Sequence, residues 1–332
     1  VDGGADPSTA SEWVFQTLRR NKAEIAEGAD PCALPKATKN TAEIQGSARA
    51  HERDGVAIIR FLHWLATGVK PGKTTEIDAV KKLEKYREET GALQDISFET
   101  ISGFGANGAM AHYRVNKASN ATFEENNLFL VDSGGQYFDG TTDITRTVAI
   151  GTPSEKMKQH YTLVLKGHIA MSVVRFPEGT TGTHLDVLAR QPLWSAGLDY
   201  EHGTGHGVGA YLGVHEGPQR IAKGWNATPL APGMIVSNEP GYYIPGEYGI
   251  RIENLQYVTD AETIGDGPIK MMGFEPLTLA PYARELIDTD LLTAEEIAWV
   301  NDYHQTVLSR LSPRLSEEPK VQDWLKAACA PL

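Results

Sequence analysis

Cysteine is scarce: Cys32 and Cys329 are the only two in 332 residues, and they stand near opposite ends. Two thiols make no disulfide framework and are too few for a cysteine-built zinc site. Reduced thiols fit a reducing, cytoplasmic compartment. Long apolar runs are missing as well; none approaches the ~20 residues of a membrane-spanning helix. Cationic residues are in deficit, 31 Lys and Arg against 43 Asp and Glu, for a formal net charge of −12. That balance argues against nucleic acid or an anionic membrane as partner, since both attract basic surfaces. The start, Val1-Asp2-Gly3-Gly4, has no initiating Met and neither the basic nor the apolar region of a signal peptide. The expectation is a chain that begins inside a longer protein. No G-x-S-x-G elbow, Walker A loop or H-E-x-x-H pair occurs, and no solenoid-period repeat.

What is present divides by texture. Val56, Ile59, Leu62 and Leu65 recur at helical spacing and predict a long helix over about 41–66. Pro71-Gly72 marks a turn, and Thr74 or Thr75 caps a second helix to about residue 89, ended by Gly91. A shorter helix is predicted over 13–25, before the breakers Pro31 and Pro35. From Gly103 to about Arg284 the chain is rich in glycine and short strand-like runs. Strands are predicted at 128–131, 144–150, 235–236 and 249–258, with helices over 155–174 and 184–194 between them. Helices return over 293–311 and near the end, and the charged residues Arg314, Glu317, Glu318 and Lys320 read as a solvated face. The class is α+β, strands in the middle and helices on both flanks.

The chemistry gathers in that middle. Asp132 ends an apolar strand, and Asp143 opens the next, across what reads as a hairpin. Glu239 ends the run Met234-Ile235-Val236-Ser237-Asn238, and Glu253 lies inside the strand-like Gly249-Ile250-Arg251-Ile252-Glu253-Asn254. Carboxylates so placed are costly to bury unless paired or bound to metal. Singly, each is as well explained by a satisfied structural acid; four in one region are not. Two carboxylates ~4 Å apart repel by about 4 kcal/mol at an effective dielectric of ~20. Four in one place would call for protons or cations, and two divalent ions would balance them.

Histidines accompany the acids. His202-Gly203-Thr204-Gly205-His206-Gly207-Val208-Gly209 sets two imidazoles among glycines, His215 follows in Val214-His215-Glu216-Gly217-Pro218, and His112 precedes Tyr113. Four carboxylates and one imidazole form a hard, oxygen-dominated donor set, suited to Mn²⁺, with Co²⁺ or Zn²⁺ as substitutes. Gly103-Phe104-Gly105-Ala106-Asn107-Gly108 matches G-x-G-x-x-G, but no βαβ unit surrounds it. Arg251 reads either as a strand-surface cation or as a partner that orients a ligand carboxylate.

Five runs together carry a resemblance: Val131-Asp132-Ser133-Gly134, Thr142-Asp143-Ile144-Thr145-Arg146-Thr147, the His202–Gly209 stretch, Asn238-Glu239-Pro240-Gly241-Tyr242-Tyr243 and Gly249-Ile250-Arg251-Ile252-Glu253-Asn254. They resemble the dinuclear metallopeptidases of pita-bread (creatinase/aminopeptidase-type) fold. The wording is most similar to the Xaa-Pro aminopeptidases of the long three-domain type. The resemblance implies an antiparallel sheet flanked by helices in two pseudo-symmetric halves, and a homodimer. It divides the chain into the end of a preceding domain (1–40), a catalytic domain (41–285) and a helical C-terminal extension (286–332). It implies that Asp132 and Asp143 hold one metal, that Asp143 and Glu253 bridge, and that His206 and Glu239 complete the second metal's ligands. His112, His202 and His215 match the family's substrate-facing histidines. The implied reaction removes the first residue from peptides whose second residue is proline, by attack of a metal-bridging hydroxide, with Glu239 moving the proton. Two alternatives stay open, a prolidase-like Xaa-Pro dipeptidase and a non-catalytic binding module of the same fold.

Overall fold

The computed structural model describes residues 3–332, so Val1 and Asp2 of the expected 1–40 segment lie outside the described residues. The first long helix, Thr41–Gly68, opens on a capping box. The Asn40 side chain accepts from Glu43 N–H at 3.0 Å, and Glu43 Oε2 accepts from Asn40 N–H at 2.8 Å. Thr75 and Asp78 repeat the device at the start of the Glu76–Glu88 helix. Each cap stabilises its helix by about 0.5–2 kcal/mol. The two helices cover an antiparallel sheet of Ile101–Phe104, Asn127–Ser133 and Ile144–Ile150, with Asn127–Ser133 in the centre. Ile58, Phe61, Leu62, Leu83, Phe104, Phe123 and Phe129 fill the space between.

The same plan recurs further along the chain. Helices Glu155–Val173 and Gly182–Ser195 are followed by the antiparallel strands Ile235–Asn238, Asn254–Val258 and Phe274–Pro276, again with the second strand central. Met171, Leu185, Ala189, Val236, Val258 and Met272 form its core. The chain is α+β in two pseudo-symmetric halves. Between the halves, Gly103, Gly108 and Gly249 bring three backbones so close that a Cβ at Gly249 would strike the Gly108 carbonyl. The G-x-G-x-x-G run is thus a strand followed by a 3-10 turn, Gly105–Ala109, packed against a neighbouring strand.

Three local expectations are corrected. The helix predicted over 13–25 is Glu12–Arg20; Lys22 takes φ 56°, and Ile25–Glu27 pairs in parallel with Gly3–Ala5. The strand predicted over 249–258 breaks at Ile252-Glu253 into Tyr248–Arg251 and Asn254–Val258. At the break Glu253 N–H donates to Thr145 O, 3.1 Å away in the other half. The tail is not merely solvated. Glu318 accepts from Arg60 Nε at 2.8 Å, and Arg314 pairs with Glu52, because the Ser312–Leu315 turn returns the chain to the Thr41–Gly68 helix. Helices Ala294–Leu311 and Pro319–Ala328 add Val300, Val307, Leu311 and Leu325 to the largest cluster, with Tyr161, Leu165 and Ile250.

One buried ion pair ties the first helices to the sheet. Arg87 Nε and Nη2 donate to the two Asp54 oxygens at 2.8 and 3.1 Å, and Tyr137 O–H donates to Asp54 Oδ1 at 2.7 Å. Burial opposes the Asp54 charge, yet Arg87 outweighs it and holds the carboxyl below its ordinary range. Removing one partner strands the other charge. Arg87→Met should therefore lower the unfolding free energy by about 3–5 kcal/mol in urea melts. Arg53→Met, which breaks a half-exposed pair with Asp139, should cost less than about 1 kcal/mol. Equal effects would show that burial does not set the strength of these pairs.

Candidate metal centre

Each half ends a strand pair on acids. In the first, Asp132 pairs with Thr145 at the end of the sheet and Asp143 directly precedes Ile144, the partner of Ser133. In the second, Glu239 and Glu253 flank the terminal pair Asn238–Asn254. Strand ends are where a ladder stops using backbone groups, so side chains there can turn into the gap between the sheets. All four acids, with His112, His202, His206 and His215, line one cavity of about 560 Å³. Ligand atoms of Asp143, His206 and Glu253 lie within 4.8 Å of one another. His206 Nε2 stands 3.6 Å from Asp143 Oδ2 and 3.5 Å from Glu239 Oε1. A second cavity, about 570 Å³ beside Trp324 and Leu332, holds no such convergence.

The histidine roles can be read from their partners. His206 Nδ1 lies 3.0 Å from Gly207 O, a carbonyl that only accepts, so Nδ1 carries the proton and the Nε2 lone pair faces the acids. Burial favours this neutral ring and lowers its pKa. His202 likewise donates from Nδ1 to Gly203 O at 2.7 Å, and its Nε2 accepts from Tyr243 O–H at 2.8 Å. Burial pushes the His202 pKa down to about 3. The His215 ring stands edge-on to His206, 4.2 Å between centroids. His112 is exposed on the cavity wall.

The carboxylates repel as their number dictates. Burial first, then Glu253, Asp132 and Glu239, push the Asp143 pKa well up. Burial, then Glu239 and Asp132, do the same to Glu253. Glu239 is pushed up to about 7, mainly by burial, with Arg251 opposing. Among the described residues, Arg251 is the one Lys or Arg that ion-pairs with any of them: Nη2 donates to Asp132 Oδ2 at 2.6 Å and Nη1 to Tyr243 Oη at 2.6 Å. It is buried against the Asp132 carboxylate, so it is not the strand-surface cation of its first reading. A single guanidinium leaves three of four carboxylates unbalanced. Asp132 Oδ1 and Asp143 Oδ1 are buried without any hydrogen-bond partner. Orphaned acceptors in a surplus of negative charge are what a hard divalent cation would satisfy, so the donor set fits metal.

Several supporting residues carry no sequence signal of their own. Thr145 Oγ1 accepts from Arg251 Nε at 3.1 Å and donates to Glu253 Oε2 at 2.7 Å. Ser237 Oγ donates to Glu239 Oε1 at 3.2 Å and accepts from His206 N–H at 2.9 Å. Tyr243 lies over Gly241 and Gly249, where any Cβ would meet its ring. A period-two reading of the Gly241–Ile244 and Tyr248–Arg251 hairpin could have found it, since Tyr243 and Arg251 share a face across the register Tyr243–Gly249.

The family model for metallopeptidase family M24 matches residues 45–260, and the model of that family's C-terminal region matches 270–332. The chain belongs to metallopeptidase family M24. A protein of Sordaria macrospora named probable Xaa-Pro aminopeptidase P is 43% identical over 331 residues, covering 98% of this chain and 54% of that protein. This M24 chain spans about half the length of the curated relatives it matches. Among solved structures, the X-prolyl aminopeptidase of Caenorhabditis elegans, described as a cytosolic enzyme with a di-nuclear active site, superposes with a TM-score of 0.88 at 36% identity. It covers 96% of this chain and 56% of that one. The Xaa-Pro dipeptidase of Bacillus anthracis gives a TM-score of 0.71 at 28% identity, over 84% of this chain and 72% of that one. The architecture is therefore the pita-bread fold expected above. No helix among the described residues is long and apolar enough to cross a membrane.

The carboxyl shifts set a sign for pH. Asp143, Glu239 and Glu253 have raised pKa values in the ion-free fold, so it holds protons that the unfolded chain has lost above ~4. Stability from this source is complete below that range and is lost as pH rises through the raised values. Buried neutral histidines act oppositely, but only below their ordinary pKa of ~6.5. The Tm of chelator-treated protein should therefore fall from about pH 7 to about pH 8.5, and Asp143→Asn should flatten the slope. A level or rising Tm in that window would mean that burial and mutual repulsion do not raise these carboxyl pKa values.

Proposed function

We propose that this chain is the catalytic part (41–285, with its 286–332 extension) of a dinuclear Xaa-Pro aminopeptidase. On this reading it removes the first residue from peptides with proline second. The observation that carries the reading is the meeting of five metal-type donors and three further histidines in one cavity. In it, Asp132, Asp143, His206, Glu239 and Glu253 would hold two divalent ions; Mn²⁺ suits these hard donors best, with Co²⁺ or Zn²⁺ as substitutes. When bound, the ions supply Lewis acidity, lowering the pKa of water from about 15.7 toward ~7.

The chain's own residues do the rest. Glu239 takes the proton of the attacking water and gives it to the departing proline nitrogen. His215 donates to the carbonyl oxygen as negative charge develops there. His112 hydrogen-bonds beside the scissile bond. His202, fixed by Gly203 O and Tyr243, shapes the proline pocket. Arg251 and Thr145 keep Asp132 and Glu253 aimed.

The dipeptidase reading has one observation in its favour. Arg114 and Arg220 also line the cavity, and a guanidinium suits a free carboxylate. The similarity of 98% of this chain to about half of a protein named probable Xaa-Pro aminopeptidase P favours the first. A non-catalytic module would be expected to have lost a donor, and all five are present. A cytoplasmic setting is supported by the C. elegans description and by two cysteines that form no disulfide. The homodimer rests on the resemblance.

Metal-stripped protein reloaded with Mn²⁺, Co²⁺ or Zn²⁺ should release Arg from Arg-Pro-Pro and leave Arg-Ala-Pro intact. Cleavage of Arg-Pro alone would select the dipeptidase. Glu239→Gln should lower kcat by about 10²-fold or more with KM little changed. Full turnover by that variant with metal bound would remove its assigned role.

A further inference from the structure

Of the histidines in the cavity, His202 and His206 have rings pinned by hydrogen bonds, whereas among the described residues nothing hydrogen-bonds to the His215 ring. Its direction depends on the backbone that carries it, and that backbone is gripped from behind. Glu216 follows His215. Its N–H donates to Gly207 O at 2.8 Å, which anchors it beside His206. Its carboxylate turns away from the cavity, and Oε1 accepts from Lys39 Nζ at 3.0 Å. Lys36, on the surface, ion-pairs with Oε2 at 2.9 Å. On the loop's other side Leu212 N–H donates to Gln136 Oε1, and Thr141 Oγ1 donates to Leu212 O, both at 3.1 Å.

Lys39 is an unusual choice for a merely filled position, since its side chain is 1% exposed. Burial pulls its pKa down and Glu216 pulls it back up. A buried ion pair is often no more stable than well-packed apolar residues in its place, so its presence asks for a reason other than stability. The backbone around it gives one. Lys39 lies in the strap between the Ala33–Ala37 helix and the Asn40 cap. Thr38 bridges to Met234, and Lys39 N–H donates to Gly233 O at 3.0 Å. The strap is thus fixed to the start of the strand that leads to Glu239. One ammonium connects the element that positions the proton carrier to the loop that positions His215.

We propose that Lys39 is a positioning residue. By holding Glu216 from the strap that precedes the catalytic fold, it sets where the His215 imidazole meets the scissile carbonyl. This rests on the role given to His215 above.

The Mn²⁺-loaded protein is assayed on Arg-Pro-Pro, and Zn²⁺-loaded protein labelled with ¹⁵N-histidine is examined by NMR. Lys39→Met should lose about tenfold or more in kcat, with KM moving less than about twofold and both ions retained. Lys39→Arg should recover most of the loss. Added to His215→Gln, Lys39→Met should cost nothing further, because the two act as a unit. The His215 ring signal, identified by its disappearance in His215→Gln, should shift or broaden in Lys39→Met while the His202 signal stays. If Lys39→Met does not fold, Lys39→Met/Glu216→Gln leaves no stranded carboxylate and carries the same expectations. Parental kcat with an unmoved His215 signal, or losses that add in full to those of His215→Gln, would overturn the proposal. Parental turnover by His215→Gln would instead remove the role of His215, and the NMR signal would still decide whether Lys39 positions its ring.

Discussion

Four carboxylates share one small cavity, and their mutual repulsion is the constraint around which the rest is arranged. At ~4 Å and an effective dielectric of ~20, one pair costs about 4 kcal/mol, comparable with a large part of a domain's net stability. A loose scaffold would relieve that strain by letting the acids splay. Here each is fixed through its neighbours: Asp132 by Arg251, Glu253 by Thr145, Glu239 by Ser237. Asp143, with one oxygen lacking any partner, is held by the backbone between two strands. The surplus charge is therefore kept in place for cations to satisfy.

Pseudo-symmetry is the economical way to build such a site. One antiparallel strand pair offers two acids at its end, and repeating it from the other half brings a second two into the same gap. The halves must then meet closely. That explains the glycine contacts at Gly103, Gly108 and Gly249, and the break before Asn254 that lets Glu253 N–H reach Thr145 O across the interface. A continuous strand over 249–258 would keep Glu253 in the ladder, with its N–H committed there.

The acids and histidines were legible in the sequence because their placement violates the ordinary pattern: charge at the end of apolar strands, and imidazole among glycines. The long helices were legible from period and caps, to within a few residues. The resemblance then added bridging roles and pseudo-symmetry that spacing alone did not contain. Partners that look ordinary in their own segment stayed hidden. Thr145 is an unremarkable strand residue until Arg251 and Glu253 meet it from more than a hundred positions away. Lys39 and Glu216 stand 177 positions apart. The tail read as solvated because its charges find their partners, Arg60 and Glu52, on a helix whose proximity only the tertiary fold creates.

The division of labour between strands and loops follows from what each group must do. Groups that would hold metal have to stand at fixed separations before any ion arrives; the four acids sit at strand ends, and Asp132, Glu239 and Glu253 are braced there by side-chain hydrogen bonds. The histidines that would meet a substrate work against a group whose shape changes during reaction, and they come from glycine-flanked loops. A loop alone is too free to hold an imidazole within the fraction of an ångström that catalysis rewards. His202 answers this with a carbonyl on one nitrogen and Tyr243 on the other. Tyr243 in turn accepts from Arg251, which also holds Asp132. His202 and the Asp132 carboxylate are thus aligned by one guanidinium, so a displacement of either is felt by both.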